Sequence, residues 1–385
     1  MAWVWKKESL LSLIALCVVT LAIFLPMNYA MVYSHPHNDF HDHIAFAREL
    51  GEGGKIPEHI RAHPVWQISL LIVHRLSGVS FEAAAVLVQM ALQLVLAILL
   101  YVAFHAWLPD KKPLLLAALS LTAMLVAQIM LLAFQDGLFY LGYIGSNTHH
   151  NPTVNMLKPF ALMLFVYSVG LVQGRRFAWY HSVLAALLVG ISTLVKPNFI
   201  LCLLPAVGIF LLWRLVKKQP FDWLFTVLGL GLPAAAVLAW QFLATYGGGQ
   251  PGILFAPLAV MRAFSGHLLV KFILSIWFPA LVTLVYFRQA KDSPLLLLGW
   301  AVFAIGAAFT YLLAEGGERF MHGNWGWSGE IAMFILFVAA IAFFFQQMKS
   351  GKNSTWWCLF SFGFAPHIVA GVIYYIYTLS SGTFV

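Results

Sequence analysis

An all-α, polytopic membrane protein is the fold class that the sequence predicts, and three observations carry it. Hydrophobic residues make up 62% of the 385 residues, aromatics 15% and charged residues only 9%, with a mean hydropathy of +0.86. That balance is far from a soluble domain's. Apolar runs long enough to cross about 30 Å of hydrocarbon recur along the whole chain. Basic residues fall in every second connection between those runs, the pattern that membrane insertion imposes.

Taken in order, runs near 10–32, 83–107, 113–134, 156–173, 178–195, 199–215, 222–245, 267–287, 294–314, 330–347 and 355–378 predict about eleven membrane helices. The first is too long, and lacks the small-residue cleavage site, for a removable signal peptide, so it is expected to stay as an anchor. The shorter stretch Val65 to Leu76 carries His74 and Arg75 and is expected to lie at the interface or to re-enter the membrane. Cys17, Cys202 and Cys358 each sit inside an apolar run, which offers neither a disulfide framework nor a CxxC metal site. No composition shift, flexible linker or internal repeat divides the chain, so residues 1–385 are expected to form a single transmembrane domain.

Orientation follows from the charges. With Lys6 and Lys7 in the cytoplasm, alternate turns carry Lys111 and Lys112, Arg175 and Arg176, Lys217 and Lys218, Arg288 and Lys291, and Lys349 and Lys352, which puts all of them inside. The net charge of +8 is then an orientation signal, and no soluble basic domain supports nucleic-acid binding. The opposite connections, 33–82, 135–156, 246–266 and 315–330 with the Lys196-Pro197-Asn198 corner, face outward. They hold Asp39, Asp42, Glu49, Glu52, Glu58, Asp136, Glu315, Glu318 and Glu330 and most of the histidines. A site at the extracytoplasmic interface, in contact with membrane lipids, is the expectation.

The first outer connection, 33–82, holds the candidate catalytic residues. Asp39 lies three residues before Asp42 and four before His43, so a helix starting near Asn38 presents all three from one face. Asn38 or Asp39 is suited to cap that helix, and Gly51, Gly53 and Gly54 to end it. Ile44, Phe46, Ala47 and Leu50 would let it lie along the membrane surface. A partly desolvated carboxylate suits a general base that takes the proton of an acceptor hydroxyl; the plainer alternative is a solvated helix whose acids only cap it. Asp39 is the first candidate and Asp42 the second.

Two later clusters face the same side. Asn147-Thr148-His149-His150-Asn151-Pro152 leads into a helix bearing Lys158, and a polar run ahead of a helix N-terminus can bind a sugar or pyrophosphate. Lys158 and Lys196 both precede proline and both oppose the inside bias, which suggests an anionic ligand; snorkelling to lipid phosphate is the alternative. In Glu315-Gly-Gly-Glu318-Arg319-Phe-Met-His322-Gly-Asn324-Trp325-Gly-Trp327, Arg319 offers a bidentate fork for phosphate, with His322 and Asn324 beside it. Trp325 and Trp327 suit either a sugar face or the interfacial aromatic belt. Arg262 and Lys271 are weaker phosphate candidates. His35, His37, His41 and His43 with the two aspartates make a divalent metal worth weighing, but their alternating spacing matches no closed site and no cofactor is expected.

A long first outer loop with Asp39-x-x-x-His43, a surface helix and a Gly54-x-Ile56-Pro57 turn resembles the GT-C superfamily of membrane glycosyltransferases. The resemblance is one of topology over most of the chain, with motif support mainly from residues 33–64. It implies a metal-independent, inverting transfer of a sugar from a polyprenyl-phosphate donor to a glycan or lipid acceptor, in a bacterial inner (plasma) membrane. Asp39 would stand at the catalytic base, with Asp42 as the alternative, and the lysines and Arg319 would hold the lipid phosphate. The chain departs from larger members in having no Asp-x-Asp pair in its first loop, which argues against a metal mechanism. It is also expected to have no C-terminal soluble domain, which leaves the acceptor open. A polysaccharide polymerase or ligase would concentrate its arginines in one large late loop, whereas here the largest polar loop is first. A transporter would place charges at the membrane midplane, where His367, after Pro366, is the main exception.

Overall fold

The computed structural model describes residues 7–35, 38–53, 56, 60–247, 252–348 and 354–382. Lys6, His37, Gly54, Pro57, Glu58, His59, Lys349 and Lys352 lie outside the described residues. Among those described, nine helical stretches are long and apolar enough to cross a membrane, and two shorter apolar helices, Pro113–Leu125 and Trp179–Val195, stand beside them. Each of the eleven apolar runs in the sequence overlaps one of these helices.

In chain order, α1 (Lys7–Tyr33) is followed by α2 (Asp39–Gly53) and α3 (Val65–Ser77), then by α4 (Phe81–Trp107), α5 (Pro113–Leu125) and the single turn α6 (Ala133–Asp136). Helices α7 (Pro152–Val172), α8 (Trp179–Val195), α9 (Asn198–Val216) and α10 (Leu232–Tyr246) come next. The second half holds α11 (Ala259–Phe264), α12 (Leu268–Val285), α13 (Phe287–Ala290), α14 (Pro294–Leu312), α15 (Gly326–Gln346), α16 (Ser354–Leu359) and α17 (Ala365–Ser381). A two-stranded antiparallel ribbon pairs β1 (Ile253–Phe255) with β2 (Leu313–Glu315).

Helix α15 is the central pillar: Ser328 to Phe345 are buried without a break. A helix apolar all round belongs inside a bundle, and the lipid-facing helices in turn expose Leu, Ile, Val and Trp. Glycine lets α14 approach the pillar closely. A Cβ on Gly299 would stand 3.1 Å from that of Ala339, and one on Gly306 only 2.5 Å from the Ser328 carbonyl oxygen. The two glycines are seven residues apart and so share one face of α14.

Helix α2 begins where the sequence suggests, with Asn38 Oδ1 accepting from the Phe40 amide at 2.9 Å. It runs on through Gly51, however, and its buried residues Phe40, Ile44, Ala47 and Leu50 face protein. The Phe40 ring meets Trp66 of α3 edge-on at 6.0 Å. The apolar face of α2 therefore closes the bundle end and does not float on lipid.

Proline shapes the spans. Two π-helical turns, Phe225–Gly231 and Phe360–Phe364, run up to Pro233 and Pro366, where the ring displaces the carbonyl four residues back. The carbonyl freed by Pro366, that of Phe362, accepts from Trp277 Nε1 at 2.9 Å.

The largest departure from expectation is at 113–134. Helix α5 ends at Leu125, only about 20 Å long, and residues 126–130 continue without regular structure yet are buried. Backbone buried in an apolar bundle must find partners, and two helices, α12 and α17, supply them for Ala127 and Ile129. The Ile129 amide bonds the Leu274 carbonyl of α12 at 3.4 Å, and the Ala127 amide bonds the His367 carbonyl of α17 at 3.2 Å. The His367 ring closes the knot: Nε2 accepts from the Phe278 amide at 3.3 Å, so Nδ1 carries the proton and donates to the Ala127 carbonyl at 2.7 Å. The ionisable group near the middle of the last span is thus a structural clamp. Gly371, one turn later, admits the Leu125 carbonyl to where a Cβ would be, 2.0 Å away. His367→Leu strands two buried backbone groups, each at a cost on the order of 1–3 kcal/mol. Both it and Gly371→Leu are expected to lower the thermal midpoint of the detergent-solubilised protein, read by a tryptophan-fluorescence melt. An unchanged midpoint for His367→Leu would refute the clamp.

Candidate functional site

The connections expected on one face do meet at one end of the bundle. Helix α7 starts at Asn151, whose side chain organises this end. Its Oδ1 caps the helix, accepting from the Val154 amide at 2.9 Å and the Thr153 hydroxyl at 2.8 Å, while Nδ2 donates to Asp39 Oδ2. Capping fixes the amide's orientation and so points its N–H groups at the carboxylate. Among the described residues Asn151 is the one hydrogen-bond donor to Asp39, which leaves Oδ1 for a ligand.

Lys196 approaches from the α8–α9 corner. Its Nζ donates to the Thr153 hydroxyl at 3.1 Å and lies 4.7 Å from the centre of the Trp327 ring. Asp39, Asn151, Thr153 and Lys196 form one hydrogen-bonded line across three segments of chain. Burial raises the Asp39 carboxyl above its usual range, against the pull of Lys196 and the Asn151 bond, and Asp42 adds to the rise. The Lys196 ammonium is pushed down to about 8 by burial, with Asp39 opposing.

Two cavities share this end. The smaller, about 290 Å³, is lined by Asp39, His150, Tyr140, Glu330, His322 and Trp327 among others. The larger, about 1010 Å³, is a groove lined by Lys196 and Arg319 and walled by Leu201, Leu238 and Phe242 of α9 and α10. Glu315, Asn324 and Trp325 line both, so the cavities share a wall. That wall is braced: Asn324 donates to Glu315 Oε2 at 2.5 Å, Tyr246 to Oε1 at 3.1 Å, and Asn198 to the Asn324 carbonyl at 3.1 Å. Arg319 Nη1 stands 3.5 Å from Glu315 Oε1 and remains more than one-third exposed.

The predicted residues divide clearly. Asp39, His150, Asn151, Lys196, Arg319, His322 and Asn324 come together. His150 is buried between Tyr140 and Trp327, its Nδ1 2.9 Å from the Thr148 hydroxyl, and burial, with help from His149 and Lys196, holds it neutral with a pKa of about 3. Five others stand apart from both cavities. Asp42 is exposed on the outer side of α2, because a step of three residues rotates it off the Asp39 line. His43 turns to α3, its Nδ1 2.6 Å from Gln67 Nε2, and burial ahead of Lys196 and His63 lowers its pKa. His149 stacks on Tyr374 at 5.5 Å, in an aromatic pocket that pushes it down to about 3. Lys158 is consumed inside the bundle by Asn147 Oδ1 at 2.9 Å and Asn155 Oδ1 at 3.2 Å. Arg262 is exposed on α11, while its neighbours Val260 and Met261 face the cavity.

Lys271 is likewise spent, paired with Asp136 at 2.7 Å and donating to the Leu141 carbonyl at 2.9 Å, which anchors the loop that forms the cavity floor. His35 Nε2 contacts the Leu379 carbonyl and His41 Nε2 the His35 carbonyl. Among the described residues no three His, Cys, Asp or Glu side chains converge as metal ligands do.

Sequence reasoning passed over Tyr140, Thr153 and the partnership of Glu330. The Tyr140 hydroxyl donates to Glu330 Oε1, and Oε2 is buried without a partner among the described residues. Glu330 sits in the first turns of α15, and an acid inside an apolar helix was the available signal. Searches against protein-family models and curated proteins match nothing to this chain.

Replacing Asn151 with Ala removes a helix cap worth about 1 kcal/mol and a hydrogen bond that favours ionised Asp39. The expected result is a lower thermal midpoint and a further rise in the Asp39 pKa, followed through its carboxyl stretch by infrared titration. Asp42→Asn is expected to leave the midpoint unchanged and, by removing a neighbouring negative charge, to shift the Asp39 pKa the other way, slightly downward.

Proposed function

We propose that the protein is an integral-membrane glycosyltransferase that moves a sugar from a polyprenyl-phosphate donor to an acceptor hydroxyl at the extracytoplasmic face. The observation that carries this reading is the pairing of a carboxylate and a cation across one wall between two cavities of different character. Asp39 opens on the small polar cavity, and Lys196 with Arg319 opens on the long groove with apolar sides. A lipid phosphate needs cations beside an apolar track, and an acceptor hydroxyl needs a base beside a polar one. The resemblance to the GT-C superfamily points the same way.

The basic residues at the other end support the orientation. Lys111, Arg214, Lys217 and Arg288 lie at the ends of helices opposite Asp39, and the inside bias assigns that end to the cytoplasm. A bacterial inner membrane is the setting we propose with this reading.

In the proposed reaction the acceptor hydroxyl loses its proton to Asp39 Oδ1 as its oxygen forms a bond to the anomeric carbon. The bond from that carbon to the phosphate oxygen breaks, and its electron pair leaves with polyprenyl phosphate. The growing phosphate charge is met by the Lys196 ammonium and the Arg319 guanidinium. Attack from the cavity opposite the leaving group inverts the anomeric centre. Burial of Asp39 raises its basicity, and Lys196 limits that rise.

Loss of the base is expected to cost on the order of 10²–10⁴ in rate, so Asp39→Asn should abolish transfer in proteoliposomes while expression and insertion persist. Wild-type turnover would remove Asp39 from the mechanism. Lys196→Ala and Arg319→Ala are expected to weaken donor affinity, and unchanged affinity in both would defeat the phosphate assignment. The pH profile has a sign that can be worked out. Activity should rise as Asp39 ionises, through a pKa above the usual carboxylate range, and fall near pH 8 as Lys196 loses its proton. Lys196→Met removes the charge that favours ionised Asp39, so the acid limb should move to higher pH. Mass spectrometry of glycolipids from cells with and without the gene tests the reading as a whole, since a transporter would leave every sugar in place.

A further inference from the structure

The two cavities differ in the sign of charge that lines them. Lys196 and Arg319 belong to the groove, while among its described lining residues the small cavity has no lysine or arginine and three carboxylates, Asp39, Glu315 and Glu330. Glu315 is saturated by Asn324, Tyr246 and Arg319. Glu330 is not: it is nine-tenths buried, Tyr140 holds one oxygen, and the other has no donor among the described residues. Glu330 lines the cavity, and a small turn of its carboxyl brings that unpaired oxygen to a ligand donor. Asp39 Oδ1 presents a second acceptor to the same space.

Aromatic rings form much of the rest of the wall, with Tyr140, Tyr143, Trp325 and Trp327 contributing. Ring faces pack well against the C–H faces of a sugar, and acceptor atoms at the edges take its hydroxyls. At about 290 Å³ the space suits one sugar ring and not a longer glycan. An anionic sugar would enter a cavity lined by acidic side chains and find no lysine or arginine among its described lining residues.

We propose that the small cavity is a subsite for a single uncharged hexopyranoside, with Glu330, oriented by Tyr140, accepting one of its hydroxyls while Asp39 faces another. The inference rests on the transferase reading for the fate of that sugar, as acceptor, but not for its binding. Glu330 is here a positioning residue, separate from the base.

Binding is measured on the full-length protein in nanodiscs by quenching of tryptophan fluorescence, with methyl β-D-glucopyranoside, methyl α-D-mannopyranoside and methyl β-D-glucuronide as probes. At least one neutral hexoside should bind saturably, and the glucuronide at least tenfold more weakly. Glu330→Gln keeps an acceptor for Tyr140 but replaces the lone oxygen with a donor, and should weaken the neutral hexoside at least tenfold with a monodisperse profile. Equal affinity for the glucuronide, no saturable hexoside binding, or an unchanged hexoside affinity in Glu330→Gln overturns the subsite. Should that variant fail to fold, the comparison of neutral and anionic probes on the wild type decides alone. Transfer from a polyprenyl-phosphate hexose separates the two claims: selective binding without transfer defeats the transferase reading and keeps the subsite, whereas transfer to neutral and anionic glycosides alike defeats the subsite and keeps the transferase.

Discussion

Every polar backbone group buried in this bundle must be paired within it, and the stretch after Leu125 is where that constraint shapes the rest. Residues 126–130 give up helical hydrogen bonds in an apolar interior, where each unpaired group is costly. Their partners come from α12, at the turn before Pro279, and from α17, through His367. Proline makes the opening in α12 and histidine fills it. Because the chain leaves the helix there, residues 131–151 can cross the end of the bundle and deliver Tyr140, His150 and Asn151 to one place. A continuous helix through 134 would have carried them elsewhere.

From that anchoring the site follows in layers. Lys271 and Asp136 pin the floor loop, the Asn151 cap starts α7 and holds Asp39, and Lys196 closes the line from the far side. Burial sets the electrostatics: the same desolvation that raises the Asp39 carboxyl lowers the Lys196 ammonium, bringing a carboxyl and an amine closer in proton affinity than they would be in water. The wall of Glu315, Asn324 and Trp325 keeps the carboxylate cavity and the cationic groove distinct yet adjacent.

The apolar composition and its alternating basic loops determined the helical membrane class and which connections share a face, because hydrophobic length and charge placement are properties of local sequence. Capping at Asn38 or Asp39 was legible for the same reason, and so was a helix beginning at Asp39. Tertiary structure alone decided which polar residues reach the cavities. Lys158 and Lys196 look alike in sequence, each before a proline, yet one is absorbed by Asn147 and Asn155 inside the bundle and the other stands at the groove. His149 and His150 are neighbours, and one faces an aromatic core while the other faces the cavity. The break after Leu125 and the lone oxygen of Glu330 were equally out of reach, since each depends on partners more than a hundred residues away, and no local pattern records which distant group will meet a buried hydrogen-bonding atom.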